Sequence, residues 1–279
     1  MNGEFSMSHP LARLVPGVLS LALLAPTLLT PAAMAQDAVS QDTMAQDAAT
    51  TPQCQVREFA MGLRYQQQSA EVRALQLQAY ALAKANLEAA IAKAEDPGKL
   101  AIVTDLDETA IDNSALLVRD MQECHVYDTW DTWGDWELKG HPTPIPGALA
   151  FFDFADKAGV AIYYISDRFS EPENKAATIA TLKELGFPQV RDDNVLLYGP
   201  SKAERRAVAA KDHQIVLLLG DTLADFDAAF RKVPLDVKRG EVDKNAAHFG
   251  ADWIVFPNAT YGDWSEAPLQ AWDSPLVTQ

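Results

Sequence analysis

Short runs of consecutive apolar residues alternate with longer segments of mixed polarity over the C-terminal part of the chain. Runs that are apolar throughout are typical of strands buried on both faces of a parallel sheet. Since segments of helical length separate them, the pattern predicts an α/β fold with a doubly wound parallel sheet. The predicted strands are LAIV at 100–103, VAIYYI at 160–165, VLLY at 195–198, IVLLL at 215–219 and WIVF at 253–256. The predicted crossover helices are 147–159, 173–186, 202–211 and 225–232.

Two further stretches depart from this alternation. The first runs from Val56 to about Glu95, is rich in Ala, Gln, Leu and Glu without proline, and predicts one or two long helices. The second, 110–146, holds several tryptophans and histidines and is expected to cap one edge of the sheet. In the first stretch, the apolar positions expected to face the core are Val72, Leu75, Ala79 and Leu82.

Residues 1–35 have the pattern of a signal peptide, with Arg13, the apolar run LVPGVLSLALLAPTLL, and AAMA before Gln36. Prolines interrupt the apolar run, which falls short of the roughly 20 uninterrupted residues that a membrane span needs. We therefore predict cleavage after Ala35 and a periplasmic or secreted protein without a membrane anchor. Residues 36–54 are too polar to bury much surface and are expected to form a flexible linker before the folded part.

The charge composition limits the kinds of molecule that this protein can bind. The 279 residues carry 23 Lys and Arg against 39 Asp and Glu, a formal charge of −16. Such an acidic surface repels polyanions, which argues against nucleic acid polymers and anionic membranes, and a phosphate-bearing substrate would need local positive charge. The two cysteines, Cys54 and Cys124, are expected either to pair in an oxidising compartment or to be unrelated buried thiols.

Polar side chains follow four of the predicted strands at the point where each ends. Asp105 and Asp107 follow the first run, Ser166 the second and Lys202 the third. The fourth run is followed by GDTLAD, which contains Asp221 and Asp225. Because ligands of open parallel sheets collect beyond the carboxyl ends of the strands, we expect these side chains to share one edge. Taken singly, a serine after a strand is an ordinary loop hydroxyl and a lysine is ordinary surface; the order along the chain favours a site.

These residue types fit phosphomonoester hydrolysis through an aspartyl-phosphate. Carboxylate oxygens of Asp105, Asp221 and Asp225 suit Mg²⁺, which offsets the repulsion between like charges. Under this hypothesis Asp105 attacks phosphorus and Asp107 protonates the leaving alcohol, then takes a proton from the attacking water. The hydroxyl of Ser166 would bind a phosphate oxygen, and Lys202 would pair with the phosphate or with the nucleophile.

The motifs DLDET, SDR, Lys202 and GDTLADF resemble the four motifs of the haloacid dehalogenase superfamily of phosphohydrolases. Over roughly 55–264, the chain resembles the class C, or nonspecific, bacterial acid phosphatases, a family that includes lipoprotein 5′-nucleotidases. The strings that carry this resemblance are LDETAIDNS, TWDTWGDW, IPGALAFF, YISDR, VLLLGDTLADF and FPNATYGDW.

The resemblance implies an acid phosphatase with 5′-nucleotidase capability that acts on small phosphomonoesters and uses Mg²⁺. It also implies a smaller helical cap domain, built from helices in 55–97 and from the insertion at about 110–146, beside a phosphohydrolase core in 98–279. Aromatic side chains would stack on a nucleotide base. The site residues it implies are Asp105 as nucleophile and metal ligand, Asp107 as acid and base with its carbonyl on the metal, Asp221 at the metal, Thr109, Ser166 and Lys202 on phosphate, and Tyr261 in stacking. From its position after the fourth run, Asp225 is expected to hold a metal-bound water or to orient Lys202. Trp133 is the tryptophan chosen for stacking, while at least one of Trp130, Trp133 and Trp136 is expected to pack a helix against its neighbour.

Two departures from the family pattern affect these expectations. Asp167 stands where the second motif commonly has asparagine, so Arg168 is expected to offset acids instead of touching phosphate. No cysteine precedes Cys54, which argues against the lipid anchor of many relatives. The alternatives are a non-catalytic binding or storage protein on the same scaffold and a receiver-type phospho-acceptor, the latter disfavoured by the export signal. The oligomeric state is left open between monomer and homodimer.

Overall fold

The structure is a computed structural model that describes residues 54, 59–125 and 129–273. The predicted signal peptide, 1–35, and the predicted linker, apart from Cys54, lie outside the described residues and stay predictions. In the part of the chain that the structure describes, no helix has both the length and the apolar character that crossing a bilayer would require.

A parallel sheet forms the centre of the fold, with five strands among the described residues in the order β5-β4-β1-β6-β7. Every neighbouring pair in it is parallel, and each of the five predicted apolar runs contributes one strand. All residues of the central strand β1 are buried, as its apolar sequence predicts. The predicted α/β parallel sheet is confirmed. The strands are β1 Leu100–Thr104, β4 Ala161–Ile165, β5 Val195–Leu196, β6 Gln214–Gly220 and β7 Trp253–Val255, and a separate antiparallel ribbon pairs β2 Ile111–Asp112 with β3 Thr143–Pro144.

Helices flank the sheet and connect its strands, and three of the four predicted crossover helices form within two or three residues of the expected bounds. The predicted helix at 225–232 is wrong. Short 3-10 turns, Leu223–Asp225 and Ala228–Phe230, occupy that segment, and the α-helix begins only after Pro234. The α-helices are α1 Ala60–Gln68, α2 Ala70–Ile91, α3 Ser114–Glu123, α4 Asp131–Lys139, α5 Ala148–Lys157, α6 Pro172–Glu184, α7 Lys202–Ala209 and α8 Leu235–Lys244.

The buried face of α2 differs from the predicted one. Leu75 and Leu82 are 40% and 38% exposed, so the expectation that they face the core is wrong. One face of the helix buries large and polar side chains alike, and on that face the hydroxyl of Tyr80 donates to the carbonyl of Thr109 at 2.8 Å. The residues on this buried face are Val72, Gln76, Ala79, Tyr80, Ala83 and Leu87.

A smaller apolar cluster lies apart from the main core and joins α1, α3 and α4; its buried members are Leu63, Leu116, Leu117 and Trp133. Helix α1 packs closely on the loop after β7, because a Cβ on Gly62 would lie 2.2 Å from the carbonyl oxygen of Ala259. A disulfide joins Cys54 to Cys124 at the end of α3, with 5.4 Å between the Cα atoms, which answers the question that the sequence left open. This helical part lies beside the residues that follow the strands.

Candidate active site

The carboxyl edge of the sheet, where β1, β4 and β6 end, brings the predicted site residues together. Asp105 follows β1 directly, and its backbone N–H donates to the carbonyl of Leu219 in β6 at 2.9 Å. Ser166 follows β4, and Asp221 follows β6. Since β4, β1 and β6 are neighbours in the sheet, their ends lie side by side, as the rule for parallel sheets predicts.

Lys202 bridges two of the carboxylates. Its ammonium lies 2.8 Å from Oδ1 of Asp105 and 2.5 Å from Oδ1 of Asp225, and all three side chains are at least nine-tenths buried. Burial lowers the pKa of Lys202, but Asp105 and Asp225 raise it by more, so the side chain stays charged. Its position is fixed by the first turn of α7, where Ser201 and Glu204 form a capping box.

Asp225 is held by the residues around it. Its Oδ2 accepts hydrogen bonds from the backbone N–H and the hydroxyl of Thr222, both at 3.0 Å. Arg206 donates to its backbone carbonyl at 2.6 Å. Gly220 makes room for it, because a Cβ there would lie 2.4 Å from that same Oδ2. The last residue of β6 must therefore be glycine for Asp225 to reach Lys202.

Three carboxylates form a cluster suited to a divalent cation. One oxygen each of Asp105, Asp221 and Asp225 lie within 4.8 Å of one another. Burial raises the pKa of Asp221 to about 8, with Asp225 and Glu108 adding to it, and burial raises the pKa of Asp105 as well. Such crowding of buried acids fits a hard cation with oxygen ligands, of which Mg²⁺ is the common case.

Asp221 is oriented by two neutral donors. Thr109 donates to its Oδ1 at 3.3 Å, and Asn258 donates to its Oδ2 at 2.7 Å. The hydroxyl of Thr109, predicted to lie on phosphate, therefore contacts the carboxylate cluster in this structure. Asn258, in the loop after β7, was not among the residues that the sequence indicated.

Asp107 has a separate set of partners. Ser166 donates to its Oδ2 at 2.9 Å, while Arg168 and Asn113 each donate to its Oδ1, from Nε and Nδ2 respectively, at 2.9 Å. Nη2 of Arg168 lies 2.8 Å from the same Oδ1, and that side chain is 1% exposed. Burial lowers the pKa of Arg168, but Asp107 raises it by more. The expectation that Arg168 offsets acids therefore matches its position.

Asp167 pairs with Arg205 on α7 and thus explains the departure from asparagine in the second motif. Nη1 of the same guanidinium donates to the carbonyls of Ser166 at 2.6 Å and Leu196 at 3.1 Å. Arg205 is itself 4% exposed and received no assignment from the sequence. One buried arginine therefore fixes the loop that carries Ser166.

Glu108 and Tyr261 form a second buried polar pair. The phenol of Tyr261 donates to Oε2 of Glu108, and the backbone N–H of Asn113 donates to Oε1 at 2.9 Å. Burial raises the pKa of Glu108 to about 8. Glu108 has a positive φ of 55°, which an ordinary residue adopts only where its surroundings hold it. Sequence reasoning missed this contact because the two residues are 153 positions apart.

The predicted stacking residues lie together but do not form parallel walls. Tyr261 and Trp133 meet at 5.9 Å between ring centroids with planes 87° apart. Trp133 is 6% exposed, whereas Trp130 is 43% exposed and lies edge-on to Tyr261 at 5.5 Å. The tryptophan that is open to solvent in this cluster is therefore Trp130, whereas the prediction from the sequence was Trp133.

Comparisons with known proteins agree with this geometry. The model of one family, the HAD superfamily, subfamily IIIB (acid phosphatase), matches residues 25–264. Two solved structures of the class C acid phosphatase from Bacillus anthracis, one with tungstate bound, are similar to this chain. In each case the identity is 35%, the TM-score is 0.70, and the match covers 76% of this chain and 88% of that chain. The matched residues include every side chain of the carboxyl edge described above.

Proposed function

This chain belongs to subfamily IIIB of the HAD superfamily, the acid phosphatases, and is a phosphoric monoester hydrolase; we propose that it is an exported, Mg²⁺-dependent enzyme that hydrolyses nucleoside 5′-monophosphates. The observation that carries the proposal is the contact of Lys202 with Asp105 inside a cluster of three carboxylates. A phosphate dianion can bind among carboxylates only where positive charge offsets their repulsion. A buried ammonium and a divalent-cation site at one sheet edge would supply that charge.

Asp105, Asp221 and Asp225 would hold the cation, because their oxygens are close, buried and of the type that Mg²⁺ prefers. The cation would neutralise charge on the transferring phosphoryl group. The remaining steps belong to side chains of the protein. Lys202 occupies Oδ1 of Asp105, so we assign the nucleophilic attack to Oδ2.

In the first step, a carboxylate oxygen of Asp105 forms a bond to phosphorus and the bond from phosphorus to the alcohol oxygen breaks. Asp107 gives its proton to that leaving oxygen. In the second step, water attacks phosphorus, its proton passes to Asp107, and the bond between phosphorus and Asp105 breaks. Inorganic phosphate leaves and both carboxyl groups return to their first state. We assign the binding of a phosphate oxygen to Ser166, whose hydroxyl donates to Asp107.

The nucleotide preference is proposed from the aromatic cluster formed by Trp130, Trp133 and Tyr261. Tyr261 donates a hydrogen bond to Glu108, which lies within the first motif, so a base stacked on this cluster would lie close to the attacking carboxylate. Aromatic faces bind every base with similar strength, which fits a broad preference for nucleotides over sugar phosphates.

Export is proposed from the predicted signal peptide at 1–35 and is supported by the disulfide between Cys54 and Cys124. Structural disulfides persist in oxidising compartments and are rare in the cytosol. A periplasmic or secreted location follows. The measurement that tests it is the N-terminal sequence of the mature protein, which should begin at Gln36.

The test of the activity compares Asp105→Asn with the exposed control Asp212→Asn, which lies before β6 at the opposite edge of the sheet. The Asp105 variant should lose turnover of p-nitrophenyl phosphate and of a nucleoside monophosphate by about 10³-fold or more, with an unchanged far-UV spectrum, while the control keeps its activity. EDTA should abolish turnover by the unaltered protein, and Mg²⁺ should restore it. Turnover that survives in Asp105→Asn would remove the nucleophile, and a folded protein that is inactive with Mg²⁺ would favour a binding or storage protein.

A further inference from the structure

A cavity of about 510 Å³ opens beside the carboxyl edge, on the side of α8. Lys202 and Thr222 line it, so the cavity borders the residues that hold the carboxylate cluster. The opposite wall comes from the segment Arg231, Lys232, Pro234 and Lys238. This volume lies in the range of about 300–1,000 Å³ that is common for small-molecule sites.

The cavity is positively charged in a chain whose formal charge is −16. The acids that line it are already neutralised, because Asp167 pairs with Arg205 and Asp263 pairs with Lys238. Arg231 and Lys232, by contrast, have no carboxylate partner among the described residues. Two cations without a carboxylate partner among the described residues therefore line this space, whereas Lys202 is already paired with Asp105 and Asp225.

The backbone around the cavity has features of an anion site. Lys232 has a φ of 53°, a left-handed conformation that an ordinary residue keeps only where its surroundings over-determine it. Helix α8 begins at Leu235 after Pro234; no side chain caps its first N–H groups, and the one acid in its first turn, Asp236, does not line the cavity. Free N–H groups at a helix start bind anions, and here they border the same space as the two cations.

We propose that this cavity binds a second phosphate group on the alcohol part of the substrate, so that the enzyme prefers small bisphosphates to the corresponding monophosphates. The inference rests on the proposed phosphatase activity and deepens it. The phosphate to be cleaved lies at Asp105, and the second phosphate lies between Arg231, Lys232 and the start of α8. A substrate with one phosphate reacts without using this second subsite.

The test measures kcat/KM for matched pairs, fructose 1,6-bisphosphate against fructose 6-phosphate and adenosine 3′,5′-bisphosphate against adenosine 5′-monophosphate. The unaltered enzyme should favour at least one bisphosphate by about tenfold, the effect of two partly exposed ion pairs. The double variant R231Q/K232Q should lower this ratio to near one and leave turnover of the monophosphate unchanged. The control K183Q/K211Q removes two exposed charges that do not line the cavity and should keep the ratio.

Lys232→Gly provides a second variant in which a fold defect is not expected, because glycine accepts the left-handed backbone. It should lower the ratio in the same direction. A ratio near one in the unaltered enzyme for both pairs, or a preference that survives in R231Q/K232Q, overturns the subsite. If p-nitrophenyl phosphate is not hydrolysed at all, the phosphatase proposal fails on its own. Calorimetry of fructose 1,6-bisphosphate binding to the unaltered protein and to R231Q/K232Q then still decides whether the cavity binds a bisphosphate.

Discussion

The guanidinium of Arg205 donates to the carbonyl oxygen of Ser166 at 2.6 Å, across 39 positions of the chain. Arg205 lies one turn after Lys202 on α7, and its neighbour Arg206 donates to the carbonyl of Asp225 at 2.6 Å. A single helix therefore ties together the loops that follow β4 and β6 while its first residue reaches Asp105. The relative positions of Ser166, Asp225 and Asp105 therefore depend on α7.

Arg205→Lys should separate positioning from folding. Lysine keeps the charge but cannot donate from one planar group to Ser166, Leu196 and Asp167 together. We expect kcat to fall about tenfold to hundredfold, because small displacements of a catalytic group are costly, and stability to fall by about 1–3 kcal/mol. Initial rates and urea melts check this, with the exposed Arg239→Lys as control. A variant that is less stable but keeps kcat would contradict the positioning argument.

Arg168→Gln should slow hydrolysis most for substrates whose leaving group needs a proton. The guanidinium and Asn113 occupy Oδ1 of Asp107, so the carboxyl group is held with Oδ2 toward Ser166. Since general acid catalysis contributes about 10²–10⁴-fold where the leaving group needs a proton, hydrolysis of a nucleoside monophosphate should lose about 10²-fold. p-Nitrophenyl phosphate, whose leaving group departs without a proton, should lose much less. Equal losses on the two substrates would show that Arg168 acts on the whole site and not through Asp107.

Gly220→Ala should weaken metal binding. The added Cβ would lie 2.4 Å from both Cβ and Oδ2 of Asp225, so the carboxylate must move away from Lys202. Overpacking of this kind costs about 1–3 kcal/mol of stability, and we expect a higher Mg²⁺ concentration for half-maximal activity. Gly240→Ala is the matched control, because nothing lies within 4 Å of its Cβ and alanine favours helix α8. An unchanged Mg²⁺ requirement in Gly220→Ala would argue against Asp225 as a metal residue.

Glu137 should make stability depend on pH. Burial raises the pKa of Glu137 from 4.5 to about 7, and the charge of Arg168 and the donors of Asn174 and Phe169 offset only part of this. The folded state therefore binds the proton more tightly than the unfolded state, so the contribution of Glu137 is full below about pH 4.5 and is lost as pH rises through about 7.

Glu137→Gln removes this dependence. The free energy of unfolding of the unaltered protein, relative to the variant, should fall by up to about 3 kcal/mol between about pH 4.5 and 7.5. Denaturant melts across that range measure it, and the exposed Glu184→Gln should leave the slope as it is. A pH-independent difference between Glu137→Gln and the unaltered protein would show that the carboxyl group titrates alike in both states.

The disulfide should contribute stability without contributing to catalysis. It links positions 70 residues apart, and Cys54 precedes α1 while Cys124 ends α3, so neither belongs to the strands or to the loops that carry the site residues. The double variant C54S/C124S should lose about 2–4 kcal/mol of stability, since the unfolded chain gains freedom, and keep its kcat well below the melting temperature. Dithiothreitol should lower the Tm of the unaltered protein and leave the double variant unaffected, because the chain has 2 cysteines. A Tm that the reductant does not change would contradict the prediction.

Local patterns in the sequence were enough to predict the sheet and the edge at which the site lies. Strands buried on both faces must be apolar throughout, and strands of one direction must end at one edge, so local patterns place Asp105, Ser166 and Asp221 side by side. The same logic brought Lys202 to this edge, because the start of α7 follows β5 directly in the chain. The helical spacing of apolar residues predicted the wrong buried face for α2, because that face also buries polar side chains: Gln76 is buried and Leu75 is exposed.

Which side chains contact one another at this edge is known only from the folded chain. The pairs Arg205 with Ser166, Asn258 with Asp221 and Tyr261 with Glu108 join positions 37 to 153 apart. Hydrogen bonds require distances within a few tenths of an ångström, and these depend on how helices pack on the sheet, which no spacing along the chain encodes. Charge compensation is likewise a property of the folded chain. Asp167 has the buried partner Arg205, whereas Arg231 lines a cavity and has no carboxylate partner among the described residues, and neither outcome can be read from the order of residues.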